Sequence, residues 1–269
     1  MLLTSVIIVL RETLEAALLI ATLLAATRFT RINHSWLRMS ISSGIVGALL
    51  FAWQLRWISN LYDGLGYEIS NALLQVLIYM VILVLITLLL KLYLGATTKE
   101  EPLLLFMGLA LSLSIIREGS EILIYLSGFI HNRETVSSGI IGSVIGAGVG
   151  FSFGALFYFL LSALQKKLSF MIALGLLILV GAGMCAQASM LLMQADFLPS
   201  QRPLWNTSSW IAEPSIPGQL LYALIGYEAT PSPLQVSIYV GSIFISLVVA
   251  VISCFFYSRF TNKKASATP

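Results

Sequence analysis

Apolar residues run along this chain in long blocks separated by short polar stretches. Seven blocks meet the requirement of about 20 largely apolar residues for a membrane-spanning helix. They cover residues 2–27, 39–59, 69–93, 102–128, 137–165, 168–193 and 234–257. The pattern predicts an all-α membrane protein with seven transmembrane helices. Between the sixth and seventh lies a polar–aromatic loop at 194–233, holding six prolines together with Trp205 and Trp210.

Two of the blocks are interrupted in the same way. Arg11-Glu12-Thr13-Leu14-Glu15 sits inside the first, and Arg117-Glu118-Gly119-Ser120-Glu121 inside the fourth. Each is an R-E-x-x-E set, and an ionisable group at membrane depth costs roughly 2.5–3.5 kcal/mol even on lenient insertion scales. A single copy reads as an ion pair within one helix. Two matching copies mark a functional site.

Composition agrees with the pattern: 58% of the residues are hydrophobic and only 10% charged, against about 25% charged in a soluble domain. Cys185 and Cys254 lie in apolar blocks, and His34 and His131 fall in predicted loops. No histidine-built or thiol-built metal site is therefore expected within the membrane. The first block lacks a preceding Lys or Arg and is broken by Arg11, Glu12 and Glu15, so it reads as a first membrane helix rather than a cleaved signal. Sidedness follows from the basic residues. Arg28, Arg31, Arg38, Lys91, Lys99, Lys166, Lys167, Arg259, Lys263 and Lys264 share one side, against Arg56, Arg133 and Arg202 on the other. Ten against three puts the N-terminus outside and the C-terminus in the cytoplasm.

Arg117 follows Arg11 by three helices, an odd number, so the fourth helix should run antiparallel to the first. That predicts an inverted 3+3 repeat, residues 1–98 and 99–193, sharing a midplane site as many transporters do. The loop 194–233, a seventh helix at 234–257 and a cytoplasmic tail at 258–269 complete a single permease domain. Gly142, Gly146, Gly150 and Gly154 recur every fourth residue, the spacing of a close-packing face, with a weaker version in Gly44 and Ala48. Asn71, Gln75 and Tyr79 form a polar stripe that serves equally as a pathway lining or as interhelical bonding. Residues 218–226 have the pattern of a short interfacial helix.

Residues three or four apart share a helix face, so Glu12 and Glu15 project together, as do Glu118 and Glu121. If the two helices pack, four carboxylates and two guanidiniums converge, with a formal charge of −4 + 2 = −2. Such oxygen-rich, anionic coordination suits hard cations, and ion binding there would release protons. Glu12, Glu15, Glu118 and Glu121 are the candidate ligands; Arg11 and Arg117 orient them and balance charge. Asp63, Glu68, Asp196, Glu213 and Glu228 are isolated acids of the outer loops, read either as an entrance that collects cations or as solvated charges. Carboxylate chemistry does not choose among iron, lead and manganese. A metal-dependent intramembrane enzyme is the reading from another class, and no Ser/His or Cys/His set supports it, so no catalytic residue is assigned.

With two R-E-x-x-E motifs in helices 1 and 4 of seven, the chain resembles the oxidase-dependent iron permeases, the high-affinity iron transporter family. The loop strengthens the likeness through Leu204-Trp205-Asn206-Thr207-Ser208 and Gly226-Tyr227-Glu228-Ala229-Thr230-Pro231-Ser232. Thr13 stands where the family often has Gly. The resemblance implies iron as the transported substrate, the motif glutamates as its ligands, no bound redox cofactor, and a separate extracytoplasmic oxidase or iron-delivery protein as partner. Its compact length resembles the bacterial members, which implies the bacterial cytoplasmic (inner) membrane. Membrane lipid is the other expected partner, nucleic acid is not one, and a homo-oligomer is allowed.

Overall fold

The computed structural model describes residues 2–28, 35–95, 100–128 and 133–265, and every regular element among them is helical. In chain order these are α1 (Leu2–Ala26), α2 (Ser35–Trp53), α3 (Leu55–Ser59), α4 (Gly66–Tyr93), α5 (Glu100–Ser127), α6 (Arg133–Ala163), α7 (Lys166–Gln194), α8 (Ile216–Ile225) and α9 (Pro233–Ala265). Six of them, α2, α4, α5, α6, α7 and α9, are long and apolar enough to cross a bilayer. At 25 residues α1 has the length too; only Arg11, Glu12 and Glu15 set it apart in composition. The chain is an all-α membrane protein.

Some expected boundaries move. The second predicted helix, 39–59, starts earlier and stops at Trp53, and a turn at Gln54 separates it from α3. A 3₁₀ turn at Leu61–Gly64 then holds Tyr62 and Asp63 in left-handed backbone (φ 52 and 58), which hydropathy cannot foresee. The last helix continues past 257 to Ala265, so most of the expected tail is helical. Arg31, His34, Lys99 and His131 lie outside the described residues, as do the side chains of Arg56, Arg133, Arg259, Lys263 and Lys264.

The packing has an internal exchange pattern. Helix α1 lies on α6 and α2 lies on α5; α1 also meets α5 and α7, while α4 meets α7 and α5. Swapping α1 with α5, α2 with α6 and α4 with α7 leaves this set of pairs unchanged. Directions obey the same swap. Ser5 Oγ lies 2.9 Å from Tyr125 Oη and Glu15 lies 3.0 Å from Arg117, so α1 and α5 are antiparallel. Gln75 bonds Gln187 at 2.9 Å while Tyr93 stacks on Phe170, so α4 and α7 are antiparallel. The exchanged pairs α1/α6 and α2/α5 are both parallel. Sequence beyond the motif carries little of this; the packing and direction of these helices carry it.

The glycine stripe explains the closest contact. A Cβ on Gly146 would stand 2.5 Å from the Val6 carbonyl oxygen, and one on Gly154 would stand 2.5 Å from Ala17 Cβ. Neither neighbour can step aside, because each belongs to the α1 backbone or is rooted on it. In the exchanged pair Gly44 meets Ile115, and Gly119 meets Ala48 at 3.1 Å. Motif position Thr13 is opposed by Gly150, where a Cβ would be 2.9 Å from the Thr13 Cβ. The bulk that Thr13 adds where its counterpart is Gly119 is therefore matched by a missing side chain on α6. We expect Gly150→Ala to cost about 1–3 kcal/mol by overpacking, and Thr13→Gly to recover part of that loss in the same chain. Thermal unfolding of the two single variants and the double variant in detergent measures the coupling; strict additivity would refute the pairing.

Outward faces of α2, α6 and α9 carry large exposed apolar side chains, among them Leu49, Val144, Phe159, Phe244 and Val251. Such continuous apolar surface suits lipid rather than water. Helix α9 packs on α4 and α7, with Tyr79 Oη donating to the Ser242 carbonyl at 2.9 Å, and stands outside the exchange pattern.

Candidate metal site

Both motifs face the α1–α5 contact. Glu12, Glu15, Arg117 and Glu118 are 3%, 6%, 2% and 2% exposed, although ionised groups are almost never fully buried unless paired. Arg117 is the pairing element. Its Nη1 donates to Glu15 Oε2 at 3.0 Å across the helix boundary and to Glu118 Oε1 at 2.6 Å, and its Nε is 3.6 Å from Glu121 Oε1. Met184 of α7 closes the other side, its Sδ 3.9 Å from the same Nη1.

Carboxylate oxygens of Glu12, Glu15 and Glu118 all lie within 4.8 Å of one another. Among the described residues this is the one group of three or more His, Cys, Asp or Glu side chains placed to share an ion. One oxygen on each acid, Glu12 Oε2, Glu15 Oε1 and Glu118 Oε2, is buried without a hydrogen-bond partner. Buried acceptors are normally satisfied, and a cluster of three acids that each keep one unpartnered oxygen could hold a cation. Glu121 is the fourth acid, with its side chain 21% exposed. The α1/α5 register places Glu118 level with Glu12, and sets Glu15 and Glu121 on opposite sides of that level.

The two arginines part company. Arg11 has a side chain 32% exposed, with its Nε 3.4 Å from Glu12 and 3.7 Å from Glu15. Its Nη2 donates to Tyr222 Oη at 3.1 Å, and its guanidinium lies 4.5 Å from the centre of the Tyr222 ring. Tyr222 is delivered by α8, which begins where Ser215 Oγ accepts from the Gly218 N–H and ends at Gly226 in left-handed backbone (φ 66). That helix packs on α1 and α7, so it reaches the motif instead of lying apart from it.

The surroundings are just as unequal. On the side of Ala26 and Leu103 the site is sealed by fully buried Leu19, Leu23, Ile82, Leu85, Met107, Leu111 and Leu177. On the side of α8 a cavity of about 100 Å³ is lined by Arg11, Gln187, Met190, Glu213, Gln219, Tyr222 and Glu228. A second cavity of about 350 Å³, lined by Trp205, Tyr227, Glu228, Gln235 and Tyr239 among others, shares Glu228 with it.

Glu228 is held by a helix cap. Ser232 Oγ accepts from the Gln235 N–H at 3.2 Å while Gln235 Oε1 accepts from the Ser232 N–H at 2.7 Å, the reciprocal capping box that starts α9. The spare amide of Gln235 then donates to Glu228 Oε2 at 2.8 Å. Burial, and next the charge of Glu213, push the Glu228 carboxyl above the usual carboxylate range. The two loop stretches quoted above lie against each other, with Leu204 N–H on the Pro231 carbonyl at 2.8 Å and Thr207 N–H on the Ala229 carbonyl at 2.9 Å.

Of the acids read as an entrance, Glu213 and Glu228 border a cavity that reaches a motif. Asp63 is exposed in the 3₁₀ turn, Asp196 is exposed beyond α7 with φ 55, and Glu68 is half-buried in the first turn of α4. Tyr222, Met184 and Gln187 join the site region although no motif marks them. The S-P-L-Q cap at Ser232–Gln235 was a readable signal for the placement of Glu228. No curated protein and no solved structure gives a significant match to the chain. The sequence model of the iron permease FTR1 family matches residues 2–263, nearly the whole chain and both motifs, and the protein belongs to that family.

Proposed function

We propose that the protein carries iron inward through the site at the α1–α5 contact, with Glu12, Glu15, Glu118 and Glu121 as ligands. The observation that carries this reading is the set of three buried carboxylates within 4.8 Å of one another, each with an unpartnered oxygen. Glu12 and Glu118 sit at the shared level, so an ion is held first by these two with Glu121 and then by these two with Glu15. The ion thus moves past the midplane by exchanging one carboxylate for its repeat-related partner. Arg117 fixes Glu15 and Glu118 in place, and the formal charge of −2 falls to about zero when a divalent ion enters.

With the N-terminus outside, as the basic residues favour, the α8 cavities face outward and the apolar plug faces the cytoplasm. The described conformation is then the one that receives ions. Release requires the plug formed by Leu19, Leu23, Leu85 and Met107 to part, and the exchange pattern supplies a matching inward arrangement. Nothing in the cluster changes an oxidation state, so a separate extracytoplasmic oxidase or iron-delivery protein remains the proposed partner and the bacterial inner membrane the proposed location.

Uptake of radioactive iron into proteoliposomes, with manganese and lead as competitors, tests the cargo. Iron uptake that an equal concentration of either competitor leaves largely intact supports the reading; faster flux of manganese or lead than of iron would overturn it.

A further inference from the structure

Two cavities beneath the long loop, the smaller one lined by the motif residue Arg11, are bordered by carboxylates that the midplane site does not use. We infer that Glu213 and Glu228 form a cation-accepting antechamber, distinct from the midplane site, that takes a hard divalent or trivalent ion and hands it past Arg11 and Tyr222. This rests on the permease reading above and adds an ion position outside the midplane site.

Four observations carry the assignment. Both acids border the smaller cavity, and Glu228 is the residue shared with the larger one. Each has one oxygen fixed by the fold: Glu213 Oε1 accepts from the Ala229 N–H at 2.8 Å, and Glu228 Oε2 accepts from Gln235 at 2.8 Å. The remaining oxygen of each needs no protein partner to hold the side chain in position. Gln219 lines the same cavity and is 8% exposed. Its Nε2 donates to the Glu213 carbonyl at 2.6 Å, while its Oε1 is buried without a partner. Two carboxylates and an orphaned amide oxygen make an all-oxygen set, the donor chemistry of a hard cation.

Arg11 is the inner wall of this chamber and the outer wall of the midplane site. Its bond to Tyr222 draws the guanidinium toward α8, so the positive charge stands between the antechamber and the midplane site. A cation passes when Arg11 turns to Glu12 and Glu15, with which it is already in ion-pair contact. The bland account makes Glu213 and Glu228 mere loop braces; it leaves Gln219 Oε1 unexplained and predicts no ion affinity at this place.

The test uses terbium(III), an oxygen-seeking ion whose luminescence is excited through nearby tryptophan, on the purified full chain in detergent. Trp205 lines the larger cavity beside Glu228. Glu228→Gln and Glu213→Gln keep an acceptor for the bonds just described, so both variants should fold. Each is expected to weaken tryptophan-sensitised terbium binding at least tenfold, while Glu118→Gln leaves that signal in place and Trp205→Phe dims it without changing affinity. Unchanged affinity in both Glu213→Gln and Glu228→Gln would overturn the antechamber. In proteoliposomes, Glu228→Gln should raise KM for iron about tenfold with Vmax close to that of the unaltered protein; a fall in Vmax at constant KM would contradict it. Normal iron uptake by Glu118→Gln would instead refute the midplane reading, and the terbium result would still decide the antechamber.

Discussion

Arg117→Met is expected to be the most destabilising single change in the molecule. Arg117 is buried, bonds Glu15 and Glu118, and approaches Glu121. Its removal strands at least two carboxylates in a low-dielectric interior, and breaking a buried ion pair from one side costs about 3–5 kcal/mol. Methionine restores the bulk of the side chain but none of the charge, so packing loss is a minor part of the effect. Arg117→Lys should recover only part of the loss, because one ammonium cannot reproduce the fork that reaches two acids. Arg11→Met should cost less, since Arg11 is partly exposed and one of its two acid partners, Glu15, keeps Arg117. The comparison is made by thermal unfolding of purified protein. Added divalent metal should raise the Tm of Arg117→Met more than that of the unaltered protein, because the cluster then carries a formal charge of −3. Equal effects of the two arginine variants would contradict their division of labour.

Replacing Glu118 by Gln is expected to abolish transport while leaving the fold intact. The amide keeps the shape and can still accept from Arg117, but the charge is gone. Changes to groups that only support a ligand typically cost 10–100-fold in metal affinity, so loss of a ligand should cost at least about 100-fold in iron uptake. Stability should hold or rise, because one carboxylate fewer shares the buried cluster. Glu12→Gln should match it. Glu15→Gln and Glu121→Gln should be milder, since each serves only one of the two ion positions while Glu12 and Glu118 serve both. Initial rates of radioactive iron uptake for the four variants give the order, and a larger loss for Glu15 or Glu121 than for both central acids would exclude the two-position scheme.

Much of this was legible in the amino-acid sequence because membranes make sequence unusually informative. Apolar blocks had to be helices, since lipid satisfies no backbone group. Charged residues inside two of those blocks had to meet something, and the nearest partners were each other. The glycine period announced the α1/α6 contact before its partner was known. What could not be read was the difference between equivalent positions. Arg11 and Arg117 occupy the same place in the two motifs, and only packing decides that one is buried among acids while the other reaches Tyr222. Asp63 and Glu228 look alike as loop acids, and the distinction comes from a left-handed turn at one and a helix cap at the other. Helix α1 presents the converse case. Its composition argues against a membrane span, and its burial against α5, α6, α7 and α8 removes the objection by giving each charge a neighbour.

The claim on which the rest depends is that the two R-E-x-x-E stretches form one ion site rather than two separate helix ion pairs. Anomalous diffraction from crystals of the protein grown with iron, recorded on both sides of the iron edge, tests it most directly. A peak is expected between α1 and α5 within bonding distance of carboxylate oxygens from both Glu12 and Glu118, at the convergence already formed by the three acids. A peak bound by the acids of only one helix, or none between α1 and α5 in crystals that hold iron elsewhere, would contradict it.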